Sequence, residues 1–471
     1  MSGDAFEDAL ALANGPHPPG PAAPGRSAPG RPAPGRSPAH APAAPPAPGA
    51  APGQDPEAPA QAPGEPGLAR PRRTPPPEDH GGLVTPGWDT ARATAHRAVR
   101  PLPPRRLPLD LALGHTLAAP LTALTDLPAF DTSAMDGWAV AGPGPWRLAP
   151  GPGLLAGSAP PSAPLTDGEA VPIATGARLP HGATAVLRSE HGTAADGELR
   201  GPTPQPGADI RPRGQECRTG AELLPARSAL TPAALGLAAA AGYDQLAVRP
   251  RPRAEVLILG DELLFRGLPH DGRVRDALGP MTGPWLTALG AQVLVTRRIG
   301  DDADALHEAV AGSRADLVVT TGSTAAGPVD HLRGVLERLG AQLLVSGVAV
   351  RPGHPMLLAE LPGGTPLVGL PGNPLAAVSG LLTLAAPLLN ALADRPLPEP
   401  RPARLTEEVR GHPRDTRLVP VACPEPGRAR PLSYAGPAML RGIAAASALA
   451  VIPPGGAASG DRVRLLDLPL A

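Results

Sequence analysis

LVVTTGSTAAGPVDHL, residues 317–332, is the stretch on which the fold turns. An apolar, β-branched run, LVVT (317–320), feeds a turn of Gly, Ser and Thr, and the turn feeds a segment of helical composition. An uninterrupted apolar run marks a strand buried on both faces, and such strands belong to parallel sheets covered by helices on either side. The pattern recurs in both directions: VLIL (256–259) and VLV (293–295) precede it, and LLV (343–345), MLLA (356–359) and PLVGL (366–370) follow. Helical stretches separate these runs, so residues 253–395 read as a doubly wound α/β domain.

In an open α/β sheet, ligands bind beyond the carboxyl ends of the strands, and three places in this domain meet that rule. Gly260-Asp261-Glu262 follows VLIL directly, and two adjacent carboxylates at a strand end suit a hard cation such as Mg²⁺; an acidic cap of the next segment would look the same. The turn holding Gly322, Ser323, Thr324 and Gly327 reads as a phosphate cradle at a helix N-terminus, with Asp330 just beyond it to hold a metal or a water. The same glycines also suit a plain tight turn, and the Lys-Ser/Thr ending of a P-loop is absent. Two rigid Pro-Gly turns complete the set. RPGHP (351–355) presents Arg351 and His354 to an oxyanion, and LPGNP (370–374) presents Asn373 within Pro371-Gly372-Asn373-Pro374.

Outward from the α/β domain the chain changes character. Asp89–Val99 suits a helix and Pro108–Leu117 a short strand and turn. From Phe130 to Val248 the pattern is one of short β elements and turns, interrupted by a helix over Thr231–Ala241 with Thr231 as N-cap, Pro232 at the first position and Gly242 as the stop. Within this region Asp131–Trp138, DTSAMDGW, clusters small and polar residues where backbone approaches something closely and leaves Asp136 exposed to act, although a surface turn would read alike. After the Pro-rich linker 396–402, segments such as RLVPVA, ALAVIPP and DRVRLLDL indicate a small all-β module. Gly15–Gly87 repeats Pro, Ala, Gly and Arg with almost nothing to bury, and reads as a disordered tail that acts as a solvated spacer.

Composition narrows the partners. Pro (70) and Gly (57) make up over a quarter of the 471 residues, and the length itself implies several folding units. Net charge is -1 with 18% charged residues, so no overall field argues for nucleic acid or an anionic membrane. All 42 basic residues are Arg. Cys217 and Cys423 stand far apart without nearby Cys or His, which speaks against a zinc site or a disulfide framework and fits a reducing cytoplasm. No uninterrupted run long enough to span a bilayer, ~18 residues, is present, and the acidic start MSGDAFEDAL is not an export signal.

Taken in order, PAFDTSAMDGWAV, VPIATGARLPHGATAVLRSE, DIRPRGQE, LGDEL, TTGSTAAGPVD, RPGHP, GLPGNP and PLSYAGPAMLRGIAAASALAVIPPGGAASGDRV resemble the molybdopterin molybdenumtransferase family, over residues 128–463. The resemblance implies a disordered tail (1–87), a mixed α+β N-terminal part (88–252) with an inserted small β domain (about 137–208), a molybdopterin-binding α/β domain (253–395) and a β-barrel-like C-terminal domain (396–471). It also implies a homodimer whose active site lies between the α/β domain of one subunit and the second domain of the other. The implied substrates are molybdate and adenylylated molybdopterin, a pterin-nucleotide whose pyrophosphate is cleaved with Mg²⁺ to release AMP. Under this resemblance Asp136, Thr175, Asp261 and Asp330 are catalytic, and Asp261, Glu262 and Asp330 hold the metal. Ser133, Gly322, Ser323, Thr324, Gly327, Arg351, His354 and the Pro371–Pro374 turn bind substrate. The molybdopterin adenylyltransferase and recipient molybdoenzymes are the implied protein partners.

Several positions depart from the family pattern. Leu259 stands where a hydroxyl residue usually precedes GDEL, Ser323 where the loop has a second Gly, Leu278 where an Asn is expected, and Ala234 where an acid is expected. The family's Lys-Pro-Gly-Lys-Pro is here Arg351 to His354-Pro355; Arg keeps the charge, whereas a neutral imidazole does not. These changes leave open a paralogue that binds the cofactor as a scaffold without turnover. An adenylyltransferase shares the α/β fold but has neither the SAMDG domain nor the C-terminal β module.

Overall fold

The computed structural model describes residues 85–159, 162–322, 324 and 331–469, so nearly all of the tail read over 1–87 lies outside the described residues. Trp88 opens helix α1 (Trp88–Arg97), within two residues of the helix expected at 89–99. Its buried indole donates to Thr383 Oγ1 at 3.1 Å and is flanked by the guanidiniums of Arg92 and Arg464, 5.0 and 5.1 Å from the ring. Arg464 also forks onto Asp89 at 2.7 and 2.9 Å. One helix is thus pinned to two distant parts of the chain by an aromatic ring and a bidentate ion pair.

The region from Phe130 to Val248 is built of short strands, as its broken apolar runs predict. Its largest sheet has six strands and includes β1 (Gly137–Val140), which pairs antiparallel with β2 (Glu169–Ile173) on one side and with the edge strand Ala185–Arg188 on the other. Each face of this sheet buries its own small core, one around Trp138, Trp146 and Leu199 and one around Val171, Ile173 and Val186. Gly137 cannot carry a side chain, because a Cβ there would collide with the Leu187 carbonyl oxygen. Helix α2 (Pro232–Ala240) starts as its sequence chemistry dictates: Thr231 Oγ1 accepts the Ala234 N–H at 3.2 Å, with Pro232 at the first position.

The α/β layer follows. Its six strands are β3 (Arg253–Leu259), β4 (Gln292–Ile299), β5 (Leu317–Thr321), β6 (Gln342–Ser346), β7 (Leu357–Glu360) and β8 (Pro366–Leu370). They stand in the order β4-β3-β5-β8-β7-β6, with the first four parallel and β7 antiparallel to both its neighbours. The strands are continuously apolar because both faces are covered: Val256, Ile258, Val319 and Val368 enter one core, and Leu257, Leu259, Val318 and Leu367 enter the other. Helices α3 (Leu278–Ala288), α6 (Pro374–Gly380) and α7 (Ala386–Leu392) close the first face, and α4 (Ala303–Ala311) with α5 (His331–Leu339) closes the second.

Helices α6 and α7 are one helix joined by a π turn (Leu381–Ala385). In that turn Ala386 N–H reaches Leu381 O, so the next donor in the ladder would be Pro387, which has no N–H. Arg92 supplies it, donating from NH1 to Leu382 O at 2.8 Å, and its NH2 reaches Pro398 O at 2.9 Å. Burial in this position brings the Arg92 guanidinium down to about 10. The combined helix, Pro374–Leu392, is long and apolar enough to cross a membrane (19 residues, mean hydropathy 1.8) but is wholly buried in the protein. Ser379, Thr383 and Asn390 interrupt its apolar run in the sequence, and Ser379 and Asn390 simply hydrogen-bond back to carbonyls four residues earlier.

The last layer is a closed barrel. Strands β9 (Arg401–Leu405), β10 (Thr416–Ala422), β11 (Arg428–Pro431), β12 (Ala448–Ile452) and β13 (Arg462–Asp467) pair in the ring β10-β11-β9-β13-β12-β10, around a core of Ala403, Leu405, Val419, Val421, Ala450 and Leu465. Closure leaves these five strands without free edges among themselves, and Val350–Arg351 of the α/β layer adds in parallel to β10.

Candidate functional site

Strands β3, β5 and β8 are adjacent and parallel, so their carboxyl ends lie together and the turns that follow them share one edge. The contact is close. Gly322 N–H donates to Leu370 O at 2.9 Å, a Cβ on Gly322 would stand 3.1 Å from Leu259 O, and a Cβ on Gly372 would stand 3.6 Å from Gly322 Cα. Gly322 also has φ +88°, which side-chain-bearing residues rarely adopt. The Gly260, Gly322 and Pro371–Pro374 turns singled out in the sequence therefore meet, with Thr324 buried beside them. Ser323, Gly327 and Asp330 lie outside the described residues.

On the β3 side, Asp261 is exposed and Glu262 folds back over Gly260. Asp261 lies against Gly300, and its amide faces Asp301 Oδ2 at 3.5 Å. Asp301 was not anticipated; the DDAD run that follows β4 was the available signal. The neighbouring Asp302 caps α4, accepting from Asp304 N at 2.8 Å and Ala305 N at 3.0 Å, and these amides hold its carboxyl below the usual range. Another unanticipated carboxylate is the buried Asp276, which accepts from Gly279 N at 2.7 Å and from Arg298 at 3.2 Å. Arg298 in turn lies 5.1 Å over the Phe265 ring, so the long loop after β3 is tied down to β4. Among the described residues, no three carboxylate, His or Cys side chains gather into a formed metal cluster.

Three of the positions that depart from the family pattern, Leu259, Leu278 and Ala234, are apolar and buried. Leu259 is 5% exposed and belongs to the core shared with Leu306, Val310, Val318 and Leu332. Leu278 lies in the opposite core, and Ala234 in the core around α2.

Residues of RPGHP and LPGNP line a cleft of about 560 Å³. Arg351 and His354, with Pro371 and Asn373, face Arg417, Tyr434 and Met439 of the barrel. Arg351 is not a free cation: its Nε donates to Asp415 Oδ2 at 2.8 Å, which leaves the terminal nitrogens of its fork for another partner. His354 Nδ1 meets Val348 O at 2.8 Å; because a carbonyl can only accept, Nδ1 is the donor, which leaves Nε2 for another partner. Asn373 is the N-cap residue of α6 yet makes no capping side-chain bond. Arg417 and Tyr434 escaped the sequence reading: Arg417 is the register partner of Arg351 in the pairing of Val350–Arg351 with β10, and Tyr434 lines the same cleft from the loop after β11.

The fourth segment behaves as a unit. Asp136 Oδ1 accepts both the Thr175 amide (2.7 Å) and the Thr175 hydroxyl (3.0 Å), across β1 and β2. Ser133 is fully buried and turns inward, donating to Met135 O at 2.5 Å and accepting from Met135 N at 3.3 Å, so its hydroxyl serves the turn. Among the described residues, the side-chain hydrogen bonds of Asp136 and Thr175 stay within this small β module and do not reach the strand-end loops of the α/β layer.

The family model described as the MoeA N-terminal region (domains I and II) matches residues 87–242. That described as a probable molybdopterin binding domain matches 255–391, and that described as the MoeA C-terminal region (domain IV) matches 402–468. The chain is 34% identical over 312 residues to a molybdopterin molybdenumtransferase of Synechococcus elongatus, covering 63% of this chain and 77% of the relative. It is also 34% identical over 402 residues to molybdopterin molybdenumtransferase 2 of Mycobacterium tuberculosis, covering 79% and 96%. Among solved structures, a molybdopterin biosynthesis MoeA protein of Pyrococcus horikoshii aligns with a TM-score of 0.66 at 25% identity, over 82% of this chain and all of that one. The chain belongs to the molybdopterin molybdenumtransferase family.

Proposed function

We propose that the protein inserts molybdenum from molybdate into adenylylated molybdopterin, cleaving its pyrophosphate and releasing AMP in a Mg²⁺-dependent step. The observation that carries this is the convergence of the β3, β5 and β8 turns, whose closely packed glycines expose backbone at the strand ends, beside a cleft lined by Arg351 and Arg417. Bare backbone at a strand-to-helix turn suits phosphate, and guanidiniums suit an oxyanion. Asp261, Glu262 and Asp330 are the residues that would hold the cation. Oxygen donors of this kind suit a hard ion, and that ion would neutralise charge on the phosphoryl oxygens. Asp136 with Thr175 would act from a second subunit of a homodimer, since their hydrogen bonds tie them to the small β module. A cytoplasmic location, the adenylyltransferase as donor of the substrate and recipient molybdoenzymes complete the proposal.

The test is release of AMP from adenylylated molybdopterin by purified protein, with and without molybdate and Mg²⁺, beside an active family member. No AMP from this protein while the control turns over would refute it. A second reading, a cofactor-binding paralogue without turnover, is favoured by the inward, apolar Leu259 and Leu278 and by the His354 ring nitrogen already committed to Val348 O. It predicts binding of the adenylate with no AMP release.

A further inference from the structure

Tyr434 combines features that surface tyrosines seldom share. Its backbone sits at φ +64°, a left-handed conformation unfavourable for a residue with a large side chain. The loop that carries it is held at both ends: Leu432 N–H donates to Pro420 O at 2.9 Å, and Leu375 N–H at the start of α6 donates to Pro437 O at 2.9 Å. Beneath it the backbone packs so closely that a Cβ on Gly442 would stand 2.6 Å from Tyr434 O. The fold thus holds this side chain in a costly conformation, yet leaves it 46% exposed.

The Arg441 guanidinium lies 4.1 Å from the Tyr434 ring centroid and takes up one face. Tyr434 also lines the cleft of about 560 Å³, together with Arg351, Met439, Pro437 and Pro355. An aromatic ring with a cation over one face, in a cleft also lined by Met and Pro side chains, is a stacking platform for a flat, electron-rich ring. Arg351 and Arg417 in the same cleft give such a ligand a place for its phosphate.

We propose that Tyr434 is a specificity residue on which the fused nitrogen heterocycle of the phosphorylated substrate stacks while its phosphate meets Arg351. The inference rests on the proposed function and extends it by assigning recognition of the ring to a side chain of the barrel. Pterin and adenine are both fused nitrogen heterocycles, and the experiment distinguishes them.

The full-length protein is titrated calorimetrically with a pterin monophosphate, with AMP and with ribose 5-phosphate, which offers phosphate without a ring. One ring-bearing probe should bind about five- to hundredfold more tightly than ribose 5-phosphate, the range expected for stacking on an aromatic side chain; which probe does so identifies the ring. Tyr434→Leu should abolish that advantage and leave ribose 5-phosphate unchanged, Tyr434→Phe should keep it, and Arg351→Gln should weaken all three probes alike. The inference is overturned if Tyr434→Leu retains the advantage, or if it weakens ribose 5-phosphate by the same factor, which would mean that Tyr434 only shapes the cleft. Equal affinity of all three probes for the unaltered protein overturns it while leaving the cleft as an anion site. Indifference of every probe to Arg351→Gln overturns the reading of the cleft itself, and this inference with it.

Discussion

Replacing Leu259 by Thr restores the family's usual hydroxyl before Gly-Asp-Glu-Leu, and the structure says what that restoration costs. Leu259 is 5% exposed, with its side chain in the core formed with Leu306, Val310, Val318 and Leu332. Thr lacks two of its carbons, which removes about 1.6 kcal/mol of burial at ~0.8 kcal/mol per carbon, and a hydroxyl left unpaired there costs a further ~1–3 kcal/mol. Leu259→Thr should therefore destabilise the protein by about 3–5 kcal/mol, and Leu259→Val, which loses only one carbon, by about 1 kcal/mol. Urea denaturation followed by tryptophan fluorescence reads both values, and the gap between the variants isolates the hydroxyl. If Leu259→Thr lies within about 1 kcal/mol of Leu259→Val, the hydroxyl has found a partner at the strand end. Position 259 would then be part of the site rather than of the core, and the argument from packing would fail.

Further expectations follow from other parts of the fold. Asp136→Asn and Asp261→Asn should each abolish AMP release, but co-refolding equal amounts of the two should recover about a quarter of full activity, because half the dimers are mixed and each mixed dimer holds one intact site; no recovery would place both residues in the same subunit's site. Asp126 is held at about 2 by the Thr219 amide and hydroxyl, with Arg213 adding to the effect. Its folded value lies below the ordinary 3.8, so its stabilisation is present above that pH and lost as pH falls towards about 2. The melting temperature of Asp126→Asn should accordingly trail the unaltered protein at pH 6 and converge with it between pH 4 and 2; a pH-independent gap would contradict this. Arg92→Met keeps much of the packing but orphans the Leu382 and Pro398 carbonyls, which should cost about 2–4 kcal/mol in the same denaturation assay. Removing the proline as well, in Arg92→Met with Pro387→Ala, should recover part of that loss, because residue 387 can then donate to Leu382 itself.

Periodicity and local chemistry made the layers legible. The apolar runs from Val256 to Leu370 announce strands covered on both faces, the Thr231-Pro232 start and Gly242 stop delimit α2, and short alternating segments after Pro396 announce the barrel. Strand-end placement also marked Gly260, Gly322 and the LPGNP turn before any contact was known, because a parallel sheet puts every such turn on one edge. Tertiary structure decided what those residues face. Asp301 reaches the Asp261 amide only because β4 pairs with β3, and Arg417 stands beside Arg351 only because Val350–Arg351 pairs with a barrel strand far along the chain. The apolar character of Leu259, Leu278 and Ala234 was visible in the sequence, but their inward direction was not, since it depends on which side of a strand or helix the neighbouring layer covers. Periodicity is a property of consecutive residues and can be read from them; a site assembled from distant segments exists only once long-range pairing has set their register.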